Sequence, residues 1–198
     1  MYAIVVIDNA YNPHKRKMTS KLILLLMALW PWVEVVETLD DYGALDHERV
    51  GGYVLTGSHH RLSIKGTTTL PTFLLNLAAL ASGKPVLGIC FGFQFMMWVN
   101  GAAVVRRPHP LLGPYPTLLS ALPTPQNLYY HCYDRPACIP PAFVVLGLHG
   151  CTKEGVMVQH TTKPWTGVLF HPEVSGDFGV KLLQKFIQNM VGSRPTTF

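Results

Sequence analysis

The chain has 198 residues, enough to bury a substantial single core, and nearly half of them are apolar while 14% are charged, which excludes a disordered chain. The formal charge of +5 is spread thinly, with Lys15-Arg-Lys17 and Arg106-Arg107 as its only clusters, and this argues against a nucleic-acid binder. One domain over residues 1–198 is the expected organisation.

Tyr2 to Ile7 is a continuous apolar run that ends at Asp8-Asn9, the pattern of a central parallel strand. Lys15 to Trp30 predicts the first helix, stopped by Pro31. Its apolar character extends well round the helix, so it is either deeply buried or shared with a partner. Its Leu22–Trp30 stretch is about half of a membrane span, and it lies too far behind Asp8 and Lys15-Arg-Lys17 for a signal peptide, so no membrane association is expected. Val33 to Thr38 and Gly52 to Thr56 predict the second and third strands, the latter running into Gly57-Ser58-His59-His60. Pro71 to Ala81 reads as a helix closed by Ser82-Gly83. Pro85 to Cys90 then reads as a buried strand and Phe91 to Val99 as a helix.

After Gly101 the texture changes. Ala102–Arg107, Tyr115–Ala121, Asn127–Tyr133, Phe143–Leu148 and Gly155–His160 are short strand-like runs, with Pro108–Pro116 and Pro136–Pro141 as rigid connections. Val168 to Phe170 leads to His171, and Phe178 to Met190 forms a last amphipathic helix with Asp177 as its N-cap, followed by a frayed tail from Gly192. The predicted fold is therefore α/β: a mostly parallel central sheet with helices on both faces and an antiparallel or mixed extension. In such sheets ligands bind beyond the carboxyl ends of the strands, where Gly57 and Cys90 both fall.

Two stretches carry chemistry. Gly88-Ile-Cys90-Phe-Gly92 places a cysteine between glycines at a strand-to-helix turn, the cysteine form of a nucleophile elbow. A helix N-terminus there favours a thiolate, whereas the rival reading is an inert buried cysteine. Phe170-His171-Pro-Glu173-Val174 supplies a base and its orienting acid. On an extended segment His171 and Glu173 share a face, so Cys90, His171 and Glu173 form a candidate Cys-His-acid triad. The four cysteines (Cys90, Cys132, Cys138, Cys151) show no paired spacing, which fits a reducing, cytoplasmic setting. His59-His60 is the only adjacent histidine pair, so no metal is expected, and no cofactor.

At these residues the chain resembles the class I glutamine amidotransferases, whose two signature motifs match Gly-Ile-Cys-Phe-Gly-Phe-Gln and Phe-His-Pro-Glu-Val in order and separation. The resemblance runs from about Ile4 to about Ile187 and implies that family's flavodoxin-like fold. It implies L-glutamine as substrate, a γ-glutamyl thioester on Cys90, and an oxyanion hole from the backbone N–H groups of Phe91 and the loop at Gly57. Gln94 then contacts the substrate. Tyr130-His131-Cys132-Tyr133 resembles a family segment whose backbone holds the α-amino and α-carboxylate ends, with Cys132 and Tyr133 as the substrate-binding candidates. An ordinary sheet strand is the rival reading of that segment.

The chain departs from the family where Ser58 replaces the second glycine of the oxyanion loop, at Leu169 before the histidine motif, at Ala102 after the elbow helix, and at Leu111-Leu-Gly113. No phosphate-binding P-loop is present in the sequence, so the resemblance implies a separate synthase partner that accepts ammonia. His171-Pro-Glu-Val174 with Gly179 looks most like the glutaminase subunit of GMP synthetases. Two other functions fit the same residues. One is an independent γ-glutamyl hydrolase or peptidase, which the Thr56-Gly57-Ser58 loop also resembles. The other is a non-catalytic regulatory module in which Cys90→Ala leaves partner binding unchanged.

Overall fold

The computed structural model describes residues 2–9 and 17–192. Nine strands form one sheet in the order β2-β1-β3-β4-β9-β8-β7-β5-β6. Its parallel half holds β1 (Ala3–Ile7), β2 (Val33–Val36), β3 (Val50–Leu55), β4 (Val86–Ile89) and β9 (Trp165–Val168). Every residue of β1, β3, β4 and β9 is buried, as continuous apolar runs covered on both faces require. The antiparallel half holds β5 (Val104–Leu119), β6 (Gln126–Pro136), β7 (Phe143–His149) and β8 (Gly155–His160), with β8 joining it to β9.

The helices are α1 (Lys17–Leu29), α2 (Leu39–Gly43), α3 (Leu70–Ala81), α4 (Phe91–Val99) and α5 (Gly176–Val191). α1 packs with α5, and α3 packs with α2 and α4. Right-handed crossovers put these two groups on opposite faces of the sheet. α4 is apolar nearly all round: it buries Phe93 against Gly167 of β9, and Phe91 and Phe95 on its other side toward His60 and Phe73 of α3, each worth about 2 kcal/mol of burial. Leu22 and Leu26 turn the inner side of α1 into the core while Leu24 and Met27 stay exposed, so burial accounts for only part of its apolar surface. The start of the predicted first helix, Lys15-Arg16, and the tail from Ser193 lie outside the described residues.

Several local expectations are corrected. Val33–Thr38 ends as a strand at Val36, and Thr38 instead caps α2, a short helix the apolar pattern does not reveal. Its capping box joins the Thr38 hydroxyl to Asp41 N–H and the Asp41 carboxylate to Thr38 N–H. Two predicted strands and the proline-rich connection between them are one long strand, β5. Its ladder to β6 is interrupted between Arg106 and Leu111, where Pro108 and Pro110 need no partner. Pro116 turns its carbonyl away from β6 to accept Gly150 N–H at 2.7 Å. Its missing N–H faces that same side, as does that of Pro114 two residues earlier, so neither breaks the β5–β6 ladder. α5 begins at Gly176 with Ser175 in the cap position, so Asp177 lies in the first turn rather than capping it.

Candidate active site

Cys90 lies between β4 and α4 with φ +52° and ψ −97°, a conformation costing about 1–3 kcal/mol for a residue with a Cβ. Its N–H donates to Val168 O at 2.8 Å and its carbonyl accepts Gln94 N–H at 3.0 Å, so strand and helix hold the strained turn from both sides. The flanking glycines permit the turn: a Cβ on Gly92 would lie 2.4 Å from the Leu55 carbonyl oxygen, and one on Gly88 would lie 2.8 Å from Gly92 itself. The result is a thiol at the N-terminus of α4, where unsatisfied N–H groups favour negative charge.

His171 follows the end of β9. Its N–H donates to Tyr129 O at 2.8 Å, and its carbonyl accepts the Ser175 hydroxyl at 2.6 Å. The same hydroxyl accepts Tyr129 N–H at 3.0 Å, so Ser175 ties the histidine segment to β6. The imidazole Nδ1 lies 2.8 Å from Glu173 Oε1. This contact does not arise on an extended segment, as the spacing suggested: Pro172–Val174 forms a single 3₁₀ turn, and the carboxylate reaches its partner round that turn. The imidazole and Cys90 line the same cavity, and both lie against Gly57. Burial opposes charge on His171, but the hydrogen bonds and charges of Cys90 and Glu173 outweigh it, and its pKa is pushed up to about 10. An imidazolium with its proton shared toward sulfur is the expected state near neutral pH.

The three side chains open onto a cavity of about 590 Å³, within the size range of small-molecule sites. Gly57, Phe91, Gln94, Cys132 and Tyr133 all line it. A Cβ on Gly57 would lie 3.0 Å from His171 Cε1 and 3.6 Å from Cys90 Cβ, so this loop runs directly over the triad. Phe91 is the first residue of α4, where its N–H has no partner within the helix. Ser58, in place of a glycine, is a scaffold residue: its hydroxyl donates to Asn9 O at 2.6 Å and accepts His60 N–H at 2.9 Å. Gln94 is buried and donates its amide to the Asp134 carbonyl at 3.1 Å. Cys132 is buried with its thiol pushed up to about 12, by burial and then by the neighbouring Cys90, so it stays protonated and is no rival nucleophile. Tyr133 is partly exposed at the cavity wall. Next to them the His131 carbonyl lies 3.8 Å from Cys90 Sγ, and its imidazole pKa is lowered by burial and by His171 and His59.

Sequence reasoning missed several residues that shape this site. Asn9 donates its N–H to the Thr56 hydroxyl at 2.9 Å and its side-chain amide to Thr56 O at 3.1 Å, and it exchanges amide hydrogen bonds with Asn76. This buried knot fixes the start of the loop that carries Gly57. Arg61 pairs with Asp134 of β6, and Ser63 donates to the same carboxylate at 2.7 Å. Arg107, from the interrupted part of β5, is buried and pairs with Glu154, and its charge partly offsets the rise of the Cys132 thiol pKa. Only Asn9, next to the end of an apolar strand, carried a positional signal. Among the described residues no group of three or more His, Cys, Asp or Glu side chains is arranged to hold a metal ion. No helix among them is long and apolar enough to cross a membrane.

Comparison with known proteins places this arrangement. Residues 65–190 match the sequence profile of the family described as glutamine amidotransferase class-I. A glutamine-hydrolyzing GMP synthase of Thermomicrobium roseum is 28% identical over 174 residues, covering 83% of this chain and 31% of the relative. That of Thermobifida fusca is 30% identical over 151 residues, covering 72% of this chain and 28% of the relative. The chain thus spans about a third of the length of these curated relatives. Among solved structures, a Thermoplasma acidophilum protein proposed to be a component of GMP synthase superposes with a TM-score of 0.81 at 24% identity, covering 96% of this chain and 94% of its own. A glutamine amidotransferase of Thermotoga maritima superposes at 0.70 with 16% identity, covering 96% and 97%. These two share the fold, including the mixed sheet and its flanking helices. The elbow and the histidine turn both fall within the matched residues, and the chain belongs to the class-I glutamine amidotransferase family.

Proposed function

We propose that this chain acts as a single glutaminase domain that hydrolyses L-glutamine through a γ-glutamyl thioester on Cys90. The observation that supports the reading best is Cys90 and a Glu173-held His171 gathered at one 590 Å³ cavity beneath Gly57. Cys90 sulfur attacks the γ-carboxamide carbon, and the carbonyl oxygen takes up negative charge facing the N–H groups of Phe91 and the Gly57 loop. The His171 imidazolium gives its proton to the amide nitrogen, the C–N bond breaks, and ammonia leaves. Water then attacks the thioester as His171 takes its proton, releasing glutamate and restoring the thiolate. Glu173 holds the imidazole with its Nδ1–H toward the carboxylate and its other nitrogen toward sulfur.

In this reading the ammonia passes to a synthase partner. The likeness to GMP synthases supports GMP formation as the acceptor reaction, and the four cysteines without paired spacing support a cytoplasmic setting. The test is covalent labelling with an electrophilic glutamine analogue, located by peptide mass spectrometry. Labelling confined to Cys90 and blocked by excess glutamine is expected. Labelling of Cys90 by iodoacetamide but not by the analogue would contradict a glutamine pocket and would favour the regulatory-module reading.

A further inference from the structure

The cavity wall holds a cation that the proposed chemistry does not use. Arg61 lies in the loop between β3 and α3, and its side chain is 20% exposed. Among the described residues it is the only arginine or lysine lining the cavity. Its guanidinium is fixed from two directions. Nη2 and Nε donate to the two carboxylate oxygens of Asp134, the latter at 3.4 Å, and the guanidinium carbon lies 5.3 Å from the centre of the Tyr133 ring. Asp134 is 3% exposed, and Ser63 also donates to it, so the carboxylate is already satisfied and serves as a brace. These contacts leave Nη1 for another acceptor, because a guanidinium carries five N–H donors in a rigid fork.

The other titratable groups facing the cavity do not compete for that role. The His131 pKa is lowered by burial and by neighbouring histidines, so His131 is neutral near pH 7. His171 is engaged by Cys90 and Glu173. Among the described residues, an anionic group entering this cavity therefore meets one arginine outside the triad, whose Nη1 donors Asp134 does not take.

We propose that Arg61 is a specificity-determining residue that binds the α-carboxylate of the substrate, with Asp134 positioning it. This assignment rests on the glutaminase reading above. It makes the substrate class γ-amides of glutamate that carry a free α-carboxylate, glutamine among them, and rejects glutamine whose α-carboxyl is blocked as an ester or lies within a peptide. Rejection follows because a blocked carboxyl offers Nη1 no charged acceptor, so the charge-assisted hydrogen bond is lost.

The test compares Cys90 labelling by two probes, a γ-electrophilic glutamine analogue with a free α-carboxylate and its α-methyl ester, with iodoacetamide as a probe of thiol reactivity alone. The wild-type chain is expected to react with the free acid at least about tenfold faster than with the ester, the scale of a lost charge-assisted contact. Arg61→Gln should bring the free acid down to the ester's rate while the iodoacetamide rate stays within about twofold of wild type. Arg61→Lys should keep part of the preference, since it restores the charge but not the fork. Asp134→Asn should narrow the preference without abolishing it. An undiminished preference for the free acid in Arg61→Gln would overturn the assignment alone. Failure of both analogues to label wild-type Cys90 while iodoacetamide succeeds would overturn the glutaminase reading and this assignment with it.

Discussion

The two halves of the sheet contribute to the site by different means. The parallel half carries the reacting atoms at the ends of β4 and β9, each set by short-range geometry: glycines on either side of Cys90, and a single turn joining His171 to Glu173. The antiparallel half completes the cavity wall, together with the loop after β3 and the start of α4. Its edge strand β6 brings the His131 carbonyl, Cys132, Tyr133 and Asp134 to the cavity from some forty residues away. In the proposed reading, the reacting groups are thus set by local sequence, and the β6 part of the substrate wall by long-range pairing. A change in the first half should strike turnover or elbow stability, whereas one in the second should strike substrate capture.

Substitutions can test that division. His171→Ala should lower glutamine hydrolysis about 10³-fold or more with a small change in KM, because the proton donor is lost while the wall is intact. A change in KM of the same size would blur the two halves. The same residue predicts a pH effect. Its folded pKa of about 10 lies above the ordinary 6.5, so its contribution to stability is complete below about pH 6.5 and is lost as pH rises through about 10. Thermal denaturation should show the wild-type Tm falling over that window, and His171→Asn should flatten the fall.

Gly92→Ala comes next. The added methyl would press on the Leu55 carbonyl at 2.4 Å, an overpacking cost of about 3 kcal/mol against about 1 kcal/mol gained in helix propensity. Urea denaturation should show a net loss of about 2 kcal/mol, and iodoacetamide should react with a displaced Cys90 at an altered rate. The smallest effect belongs to the joint between the halves. Ser175→Ala removes a hydroxyl that serves both His171 O and Tyr129 N–H, and should cost about 1–2 kcal/mol of stability and raise KM severalfold with less effect on kcat. An unchanged KM would mean that β6 is positioned without this link.

The same division explains what could be read from residues alone. The elbow was legible because its glycines and cysteine lie within one short stretch, and α4 matches its expected bounds of Phe91 to Val99. The alternation of apolar runs and helical patterns gave the parallel half. His171 and Glu173 were found by type and spacing, but their 3₁₀ turn was not, since it depends on Ser175 bonding to both His171 and Tyr129. The prolines of β5 misled for a physical reason: their tolerance depends on which side of each residue faces β6, a property of register and not of composition. Arg61 and Asp134 lie 73 residues apart, and nothing local marks them as partners. The Thr38–Asp41 capping box was visible, but α2 is five residues long and buries none of them, so no apolar periodicity accompanied it.

The central claim, that Cys90 is the nucleophile, is tested most directly by acid-quenching the chain during reaction with isotopically labelled glutamine and mapping the label. The account predicts a glutamyl group on Cys90 in a hydroxylamine-sensitive linkage, absent in Cys90→Ala together with ammonia release. Ammonia release that persists in Cys90→Ala, or a glutamyl group found on Cys132 instead, would contradict it.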